Sequence, residues 1–164
     1  MATDRIILGI DPGIARTGWG ILETRGSKLE AGGFGCIETS AKEELPLRLE
    51  KLYKEISKLI KTYKPDVLAI EELFFNTNAK TALIVGHARG VVLLCAAQAG
   101  LEIESFTPLE VKIAITGYGR AEKAQMGKMV KAVLSLKEIP KPDDTVDALA
   151  IALSCAFSNK DYLK

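Results

Sequence analysis

The chain of 164 residues has few of the residues from which disulfide frameworks and zinc sites are built. Its three cysteines, Cys36, Cys95 and Cys155, lie far apart and form no Cys-x-x-Cys pair. The single histidine, His87, has no cysteine nearby in the sequence. These spacings argue against a zinc site and predict buried, reduced thiols. For His87 we expect a role in helix packing.

Long apolar runs are also missing. No segment reaches the ~20 uninterrupted apolar residues of a membrane helix. The longest apolar region, residues 79–99, is broken by Lys80, His87 and Arg89. The segment before Ile6 is too short and too acidic for a signal peptide. We therefore expect a cytoplasmic protein that makes no contact with a membrane.

Excess charge of one sign is the third absence, since the formal net charge is only +1. Proteins that bind nucleic acid are often strongly basic, so any such surface here must come from local clustering. Internal repeats and low-complexity segments are missing as well. The length fits one domain, and we expect residues 1–164 to form it.

Hydrophobic periodicity divides the chain into strands and helices. Alternating or continuously apolar segments predict strands at residues 5–11, 17–24, 28–40, 66–71 and 101–106, the third of them bulged at its glycines. Apolar residues at helical spacing predict helices at residues 45–63, 79–99, 108–116, 121–136 and 145–159. The order indicates an α/β domain with a mixed five-stranded sheet flanked by helices, as in the ribonuclease H-like fold.

The helix at 79–99 is apolar nearly all round, with small residues at Gly86, Ala88 and Gly90. Such a helix is expected to be buried on more than one side. One side can pack on the sheet, and the other can pack on a second subunit.

Carboxylates stand where metal ligands would be expected. Asp11 and Glu71 each end an apolar strand, and reactive groups in open α/β sheets gather at such strand ends. Asp144 and Asp147 are three residues apart and share a helix face, with Asp143 as a candidate cap. Taken alone, each acid could be a turn or cap residue. Asp147 is less easily explained in that way, because a strongly apolar segment follows it.

Hydrolysis of a phosphodiester needs an activated water and compensation of the charge on the phosphate. Two Mg²⁺ ions roughly 3.5–4 Å apart can provide both. Mg²⁺ prefers oxygen ligands, so a carboxylate cluster is the expected protein contribution. The four acids together therefore favour a metal-dependent hydrolase.

Several motifs resemble the RuvC family of Holliday junction resolvases. They are Ile7-Leu8-Gly9-Ile10-Asp11-Pro12-Gly13 with Thr17-Gly18, Ala69-Ile70-Glu71 followed by Phe74, Gly86-His87-Ala88-Arg89-Gly90, Gly117-Tyr118-Gly119-Arg120-Ala121-Glu122-Lys123, and residues 144–152, DTVDALAIA. The first motif alone is weak, but the set in this order is specific and covers nearly the whole chain.

The resemblance implies a ribonuclease H-like homodimer with two Mg²⁺ ions per active site, which Mn²⁺ can replace. It assigns catalysis and metal binding to Asp11, Glu71, Asp144 and Asp147. Glu72 follows Glu71 directly; adjacent strand residues point to opposite faces, and the resemblance selects Glu71. The expected reaction is paired nicking of two strands of like polarity in a four-way DNA junction. Water activated by metal attacks the phosphodiester and leaves ligatable ends with 5′-phosphate.

Basic and aromatic residues complete the expected site. The resemblance places Lys112 and Lys123 near the scissile phosphate, and Arg120 lies in a glycine-containing loop suited to phosphate contact. It also places Phe74 where it can stack on a base opened at the junction centre. A branch-migration motor and a junction-binding protein of the RuvAB type are the implied partners.

Three alternatives remain open at this point. A different nuclease on the same fold would prefer RNA–DNA hybrids or single strands. A nucleotide-binding domain of the actin and sugar-kinase kind has a first phosphate loop loosely like residues 11–18, but needs two lobes. A junction-binding module without catalysis would not need the intact acidic set.

Overall fold

A mixed sheet in the order β3-β2-β1-β4-β5 runs through the centre of the molecule. The computed structural model describes residues 4–73 and 78–158. The strands are β1 (Arg5–Asp11), β2 (Arg16–Arg25), β3 (Lys28–Glu38), β4 (Val67–Glu71) and β5 (Glu102–Phe106). The first three form an antiparallel meander, whereas β4 pairs in parallel with both β1 and β5. This is the predicted mixed five-stranded sheet.

Helices cover both faces of the sheet. They are α1 (Leu45–Tyr63), α2 (Ala79–Gln98), α3 (Pro108–Thr116), α4 (Lys123–Val133) and α5 (Asp143–Ser158). One hydrophobic core lies between the sheet and α1 with α2, and the other between the sheet and α3, α4 and α5. The interiors of β1 and β4 are apolar, as expected for central strands with a core on each face, and charged residues stand only at their ends.

Helix α5 is the most deeply buried helix, because eleven of its residues are inaccessible to solvent. Small side chains such as Ala148 and Ala152 let it lie close to the sheet. Its apolar sequence thus places the N-terminal turn of α5 directly beside the ends of the central strands.

The predicted bulge of the third strand is present. Ile21 pairs with Gly33 and Leu22 with Ala31, so Gly32 is the extra residue. Two other expectations were wrong in detail. Helix α5 begins at Asp143 itself, so Asp143 is a first-turn residue rather than a cap. Cys36 is only partly buried, although all three thiols are free.

Helix α2 is buried on one side within the chain, and the side for which a second subunit is expected is exposed. Ala88, Val92, Cys95 and Ala96 face the core, and Leu83 and Leu94 are 63% and 51% exposed. His87 is exposed on α2. By length and composition alone α2 could also cross a membrane, yet it packs against α1 and the sheet.

Candidate active site

Four acidic side chains converge at one edge of the sheet. Asp11 is the last residue of β1 and Glu71 the last residue of β4. Because these strands are parallel neighbours, their carboxyl ends meet at the same edge. Asp144 and Asp147 are presented to that edge by the first turns of α5. The acid cluster, as we call these four residues, is therefore built from three elements distant in sequence.

Two glycines allow α5 to approach this edge so closely. Gly18 pairs with Asp11 across β1 and β2, and a Cβ atom there would lie 1.9 Å from the carbonyl oxygen of Asp144. A Cβ atom on Gly9 would lie 2.2 Å from the carbonyl oxygen of Ala148. No side chain fits at such distances. The position of Asp144 thus depends on the absence of a side chain at Gly18.

The electrostatics of the cluster are dominated by Asp11. Its pKa is raised from 3.8 to about 8, first by burial and then by the charges of Glu71, Asp147 and Asp144. A hydrogen bond between the Asp11 and Glu71 carboxyl groups contributes to this shift. The two groups therefore share a proton near neutral pH.

Burial also raises the pKa values of Glu71 and Asp147. The charge of Asp147 adds to the shift at Glu71, and Asp144 and Asp143 add to the shift at Asp147. Lys123 opposes the shift at both carboxyls, and Lys112 opposes it at Glu71. The cluster is thus an anionic centre that its neighbouring lysines neutralise only in part.

The donor set fits divalent metal ions that prefer oxygen ligands. Within residues 4–73 and 78–158, no three His, Cys, Asp or Glu side chains stand at a spacing that could hold a metal ion as they are. Two of the acids, Asp11 and Glu71, are instead joined by the proton of the hydrogen bond between their carboxyl groups. A divalent cation would compete with that proton and relieve the repulsion among buried carboxylates.

Two predicted basic residues lie beside the acids. Lys112, on α3, and Lys123, the first residue of α4, line a cavity of about 390 Å³ together with Glu71 and Asp147. Lys123 Nζ also lies 4.0 Å from Asp143 Oδ2, with both side chains largely exposed. These two lysines lie where the cavity opens to solvent, so they can bind a phosphate group that enters from outside.

Arg120 is exposed in the loop between α3 and α4, and it is not among the described residues that line the cavity. Phe74, the residue expected to stack on a base, lies outside the described residues. Glu72 is exposed, whereas Glu71 hydrogen-bonds Asp11, so the structure brings Glu71 and not Glu72 into the cluster.

Other residues hold the strand ends and α5 in place, and the sequence pattern does not single them out. One of them is Gly18, which is part of the first motif. The buried Thr145 hydroxyl donates to the carbonyl of Gly35 at 3.2 Å and so ties α5 to β3. Thr17 donates to the carbonyl of Gly13 at 2.6 Å and closes the turn after Asp11. A small or hydroxyl residue beside a predicted catalytic acid is the only signal that points to them.

Known proteins resemble this chain along nearly its whole length. The family model described as crossover junction endodeoxyribonuclease RuvC matches residues 7–155. The relative of that name from Desulforamulus reducens is 55% identical over 148 residues, which cover 90% of this chain and 91% of the relative. A solved structure of Thermus thermophilus RuvC is 36% identical, with a TM-score of 0.84 and 93% of each chain covered.

A second structure, of T. thermophilus RuvC in complex with a Holliday junction substrate, is 35% identical with a TM-score of 0.89. It covers 94% of each chain. These matches confirm the ribonuclease H-like fold expected from the order of strands and helices.

Proposed function

The chain belongs to the RuvC family of crossover junction endodeoxyribonucleases, and on that premise we propose that the acid cluster is its catalytic centre. The chain is accordingly a metal-dependent endonuclease that resolves Holliday junctions in recombination and repair. The observation that carries the assignment is the convergence of Asp11, Glu71, Asp144 and Asp147 at one sheet edge.

The cluster would hold two Mg²⁺ ions per active site, which Mn²⁺ can replace. Bound ions of this kind lower the pKa of water and offset charge on the phosphate, which is the chemistry that phosphodiester hydrolysis needs. The contribution of the chain is to present carboxylate oxygens that give up their shared proton when metal binds. Support comes from the raised pKa of Asp11, which marks a site with too much negative charge for its burial.

Lys112 and Lys123 would bind the scissile phosphate from the cavity that they line together with Glu71 and Asp147. Their charges already act on Glu71, so they are close enough to act on a phosphate placed between lysine and acid. Arg120 would contact the DNA backbone farther out, since its loop is exposed. Phe74 would stack on a base at the junction centre. Binding should weaken steeply as salt rises.

A homodimer would present two such sites to the junction and account for paired nicks in strands of like polarity. We assign the interface to the uncovered side of α2. Of the residues of α2, only Ala88, Val92, Cys95 and Ala96 are buried within the chain, which leaves an exposed apolar face. Leu83 and Leu94 lie on it, and an isologous contact would cover both copies at once. A branch-migration motor and a junction-binding protein of the RuvAB type would deliver junctions in the cytoplasm.

The test of this function is cleavage of a labelled synthetic four-way junction with and without Mg²⁺. Linear duplex of the same sequence and an RNA–DNA hybrid serve as controls. Paired, Mg²⁺-dependent nicks with 5′-phosphate in the junction alone are expected. Cleavage of the hybrid in preference to the junction would contradict the substrate assignment, and binding without cleavage would contradict the catalytic role of the cluster.

A further inference from the structure

We propose that Arg89 is a positioning residue for cleavage, which fixes the end of β4 and thereby the direction of Glu71. Arg89 Nε donates to the Glu71 carbonyl oxygen at 3.1 Å, and Arg89 Nη2 donates to Ser105 Oγ at 3.1 Å. Arg89 belongs to α2, Glu71 ends β4 and Ser105 lies on β5, so one side chain joins three elements. The inference rests on the catalytic role proposed for Glu71.

The Glu71 carbonyl needs such a donor because it lies at the limit of the sheet. The ladder between β1 and β4 ends with the pair Ile10 and Ile70, one residue before Glu71. On the β5 side of β4, the bond to the sheet is made by the next residue, because the Glu72 amide donates to the Phe106 carbonyl at 2.9 Å. Half-buried backbone carbonyls require a partner, and Arg89 supplies it.

The charge of Arg89 is not used against the acid cluster. Among the ion pairs of the described residues none includes Arg89, whose guanidinium instead donates to a carbonyl and a hydroxyl. An arginine paired with Glu71 would occupy carboxylate oxygens that metal binding requires. Holding the backbone of Glu71 leaves the carboxylate available. The role of Arg89 is therefore geometric.

An arginine suits this role better than a lysine. The guanidinium is planar and carries donors in fixed directions, so two acceptors held 3.1 Å from its Nε and Nη2 are fixed relative to each other. A lysine ammonium keeps the charge, but it is a single group on a flexible chain and cannot hold two acceptors in fixed directions. Replacement by lysine should therefore preserve folding and lose much of the positioning.

The experiment compares Arg89→Met, Arg89→Lys and Glu71→Gln with the parent chain. Arg5→Met is the matched control, because Arg5 pairs with Glu102 at the opposite end of the same sheet. Three quantities are measured: the single-turnover rate on saturating four-way junction with Mg²⁺, the Kd for that junction without divalent ions, and the melting temperature. Loss of an outer partner of a metal ligand typically costs about 10- to 100-fold in activity, and we expect a rate loss of that size for Arg89→Met.

The Kd of Arg89→Met should stay close to that of the parent, since the Arg89 hydrogen bonds to Glu71 and Ser105 lie within the chain. Arg89→Lys should also cleave slowly, and Arg5→Met should keep the parental rate. Parental cleavage by Arg89→Lys would overturn the geometric role even if Arg89→Met failed to fold. Equal losses of rate and binding in the Arg89 variants would also overturn it. If Glu71→Gln itself cleaved normally, the catalytic role of Glu71 would fail instead, which is a separate result.

Discussion

Carboxylates at the two ends of β1 have opposite surroundings. At the start of the strand, each nearby carboxylate accepts a hydrogen bond or pairs with a cation. Arg5 pairs with Glu102, and the Asp66 carboxylate accepts from the Ile6 amide at 2.8 Å. At the end of the strand, Asp11 faces three other acids and shares a proton with one of them.

This difference shows that the end of β1, and not its start, lowers the stability of the metal-free fold. Acids at the start of β1 help to join neighbouring strands, as charges do in most folded proteins. The acids at its end repel one another while partly buried, which is unfavourable unless protons or metal ions compensate them. A cost of this kind is a recurrent property of active sites. The comparison can be tested by changing one end of β1 at a time.

Asp11→Asn should have the largest effect on activity. Losing one carboxylate of the cluster removes metal-dependent stabilisation worth several kcal/mol, so cleavage should fall by about 1,000-fold or more. The measurement is the single-turnover rate on a four-way junction with Mg²⁺. Asp66→Asn is the matched control, because it makes the same chemical change at the other end of the sheet. If both variants kept parental rates, the assignment of the acids would be wrong.

Gly18→Ala should follow in size. The new Cβ would lie 1.9 Å from the Asp144 carbonyl oxygen, so the start of α5 must move away from β2. Such overpacking costs about 1–3 kcal/mol of stability, and displaced acids should slow cleavage by about 10- to 100-fold.

Gly20→Ala provides the comparison for Gly18→Ala. Its Cβ would meet the Leu149 side chain at 2.6 Å, five residues after Asp144 on α5. Because this clash is with the end of a side chain and not with backbone, we expect a smaller loss of melting temperature and a smaller loss of cleavage rate than for Gly18→Ala. Similar rate losses in both variants would show that cleavage depends on general stability and not on the position of Asp144.

The metal-free chain should lose stability as the pH rises. Asp11 has a pKa of about 8 when folded and about 3.8 when unfolded, so between these values the folded state keeps a proton that the unfolded state has lost. Stability from this group is complete below the unfolded pKa and is lost as the pH rises through the folded pKa. The slope should reach at most about 1.4 kcal/mol per pH unit.

Thermal melting in EDTA from pH 5 to pH 9 measures this slope. Asp11→Asn should make this slope shallower and raise the stability of the metal-free protein at alkaline pH. Mg²⁺ should stabilise the parent more at alkaline than at acidic pH, because ligands must be deprotonated to bind metal. A slope of opposite sign in the parent would contradict the electrostatic description of the cluster.

Glu102→Gln should have the smallest effect. It breaks the ion pair with Arg5 at the start of β1, and partly exposed pairs contribute about 0–1 kcal/mol. Denaturant unfolding should detect at most a small loss, and junction cleavage should be unchanged. A loss of several kcal/mol would mean that the two ends of β1 do not differ as described.

The sequence predicted what depends on local pattern. The apolar segments that end in Asp11 and Glu71 are visible in a short window, and α1 has the predicted bounds. The position of Gly18 under Asp144 could not be predicted, because it depends on contact between a strand and a helix more than a hundred residues apart. The bonds from Arg89 to Glu71 and Ser105 depend on tertiary packing in the same way.

The apolar character of α2 predicted burial but not what covers the helix. Periodicity reports how apolar a helix surface is, and not whether the same chain or a second one covers it. Helix α5 begins at Asp143, whereas the pattern predicts a start at residue 145, because Asp143 and Asp144 are polar and helix ends are the least regular part of the pattern. Asp144, one of the four acids, therefore lies inside the helix and not before it.

Proton release on metal binding tests the central claim most directly. Calorimetric titration of the metal-free protein with Mn²⁺, in buffers of different ionisation enthalpy, gives the number of protons released at each pH. With the Asp11 pKa at about 8, binding near pH 7 should release close to one proton, and release should vanish near pH 9 and in Asp11→Asn. Tight binding with no proton release, unchanged in Asp11→Asn, would contradict a metal site built on the acid cluster.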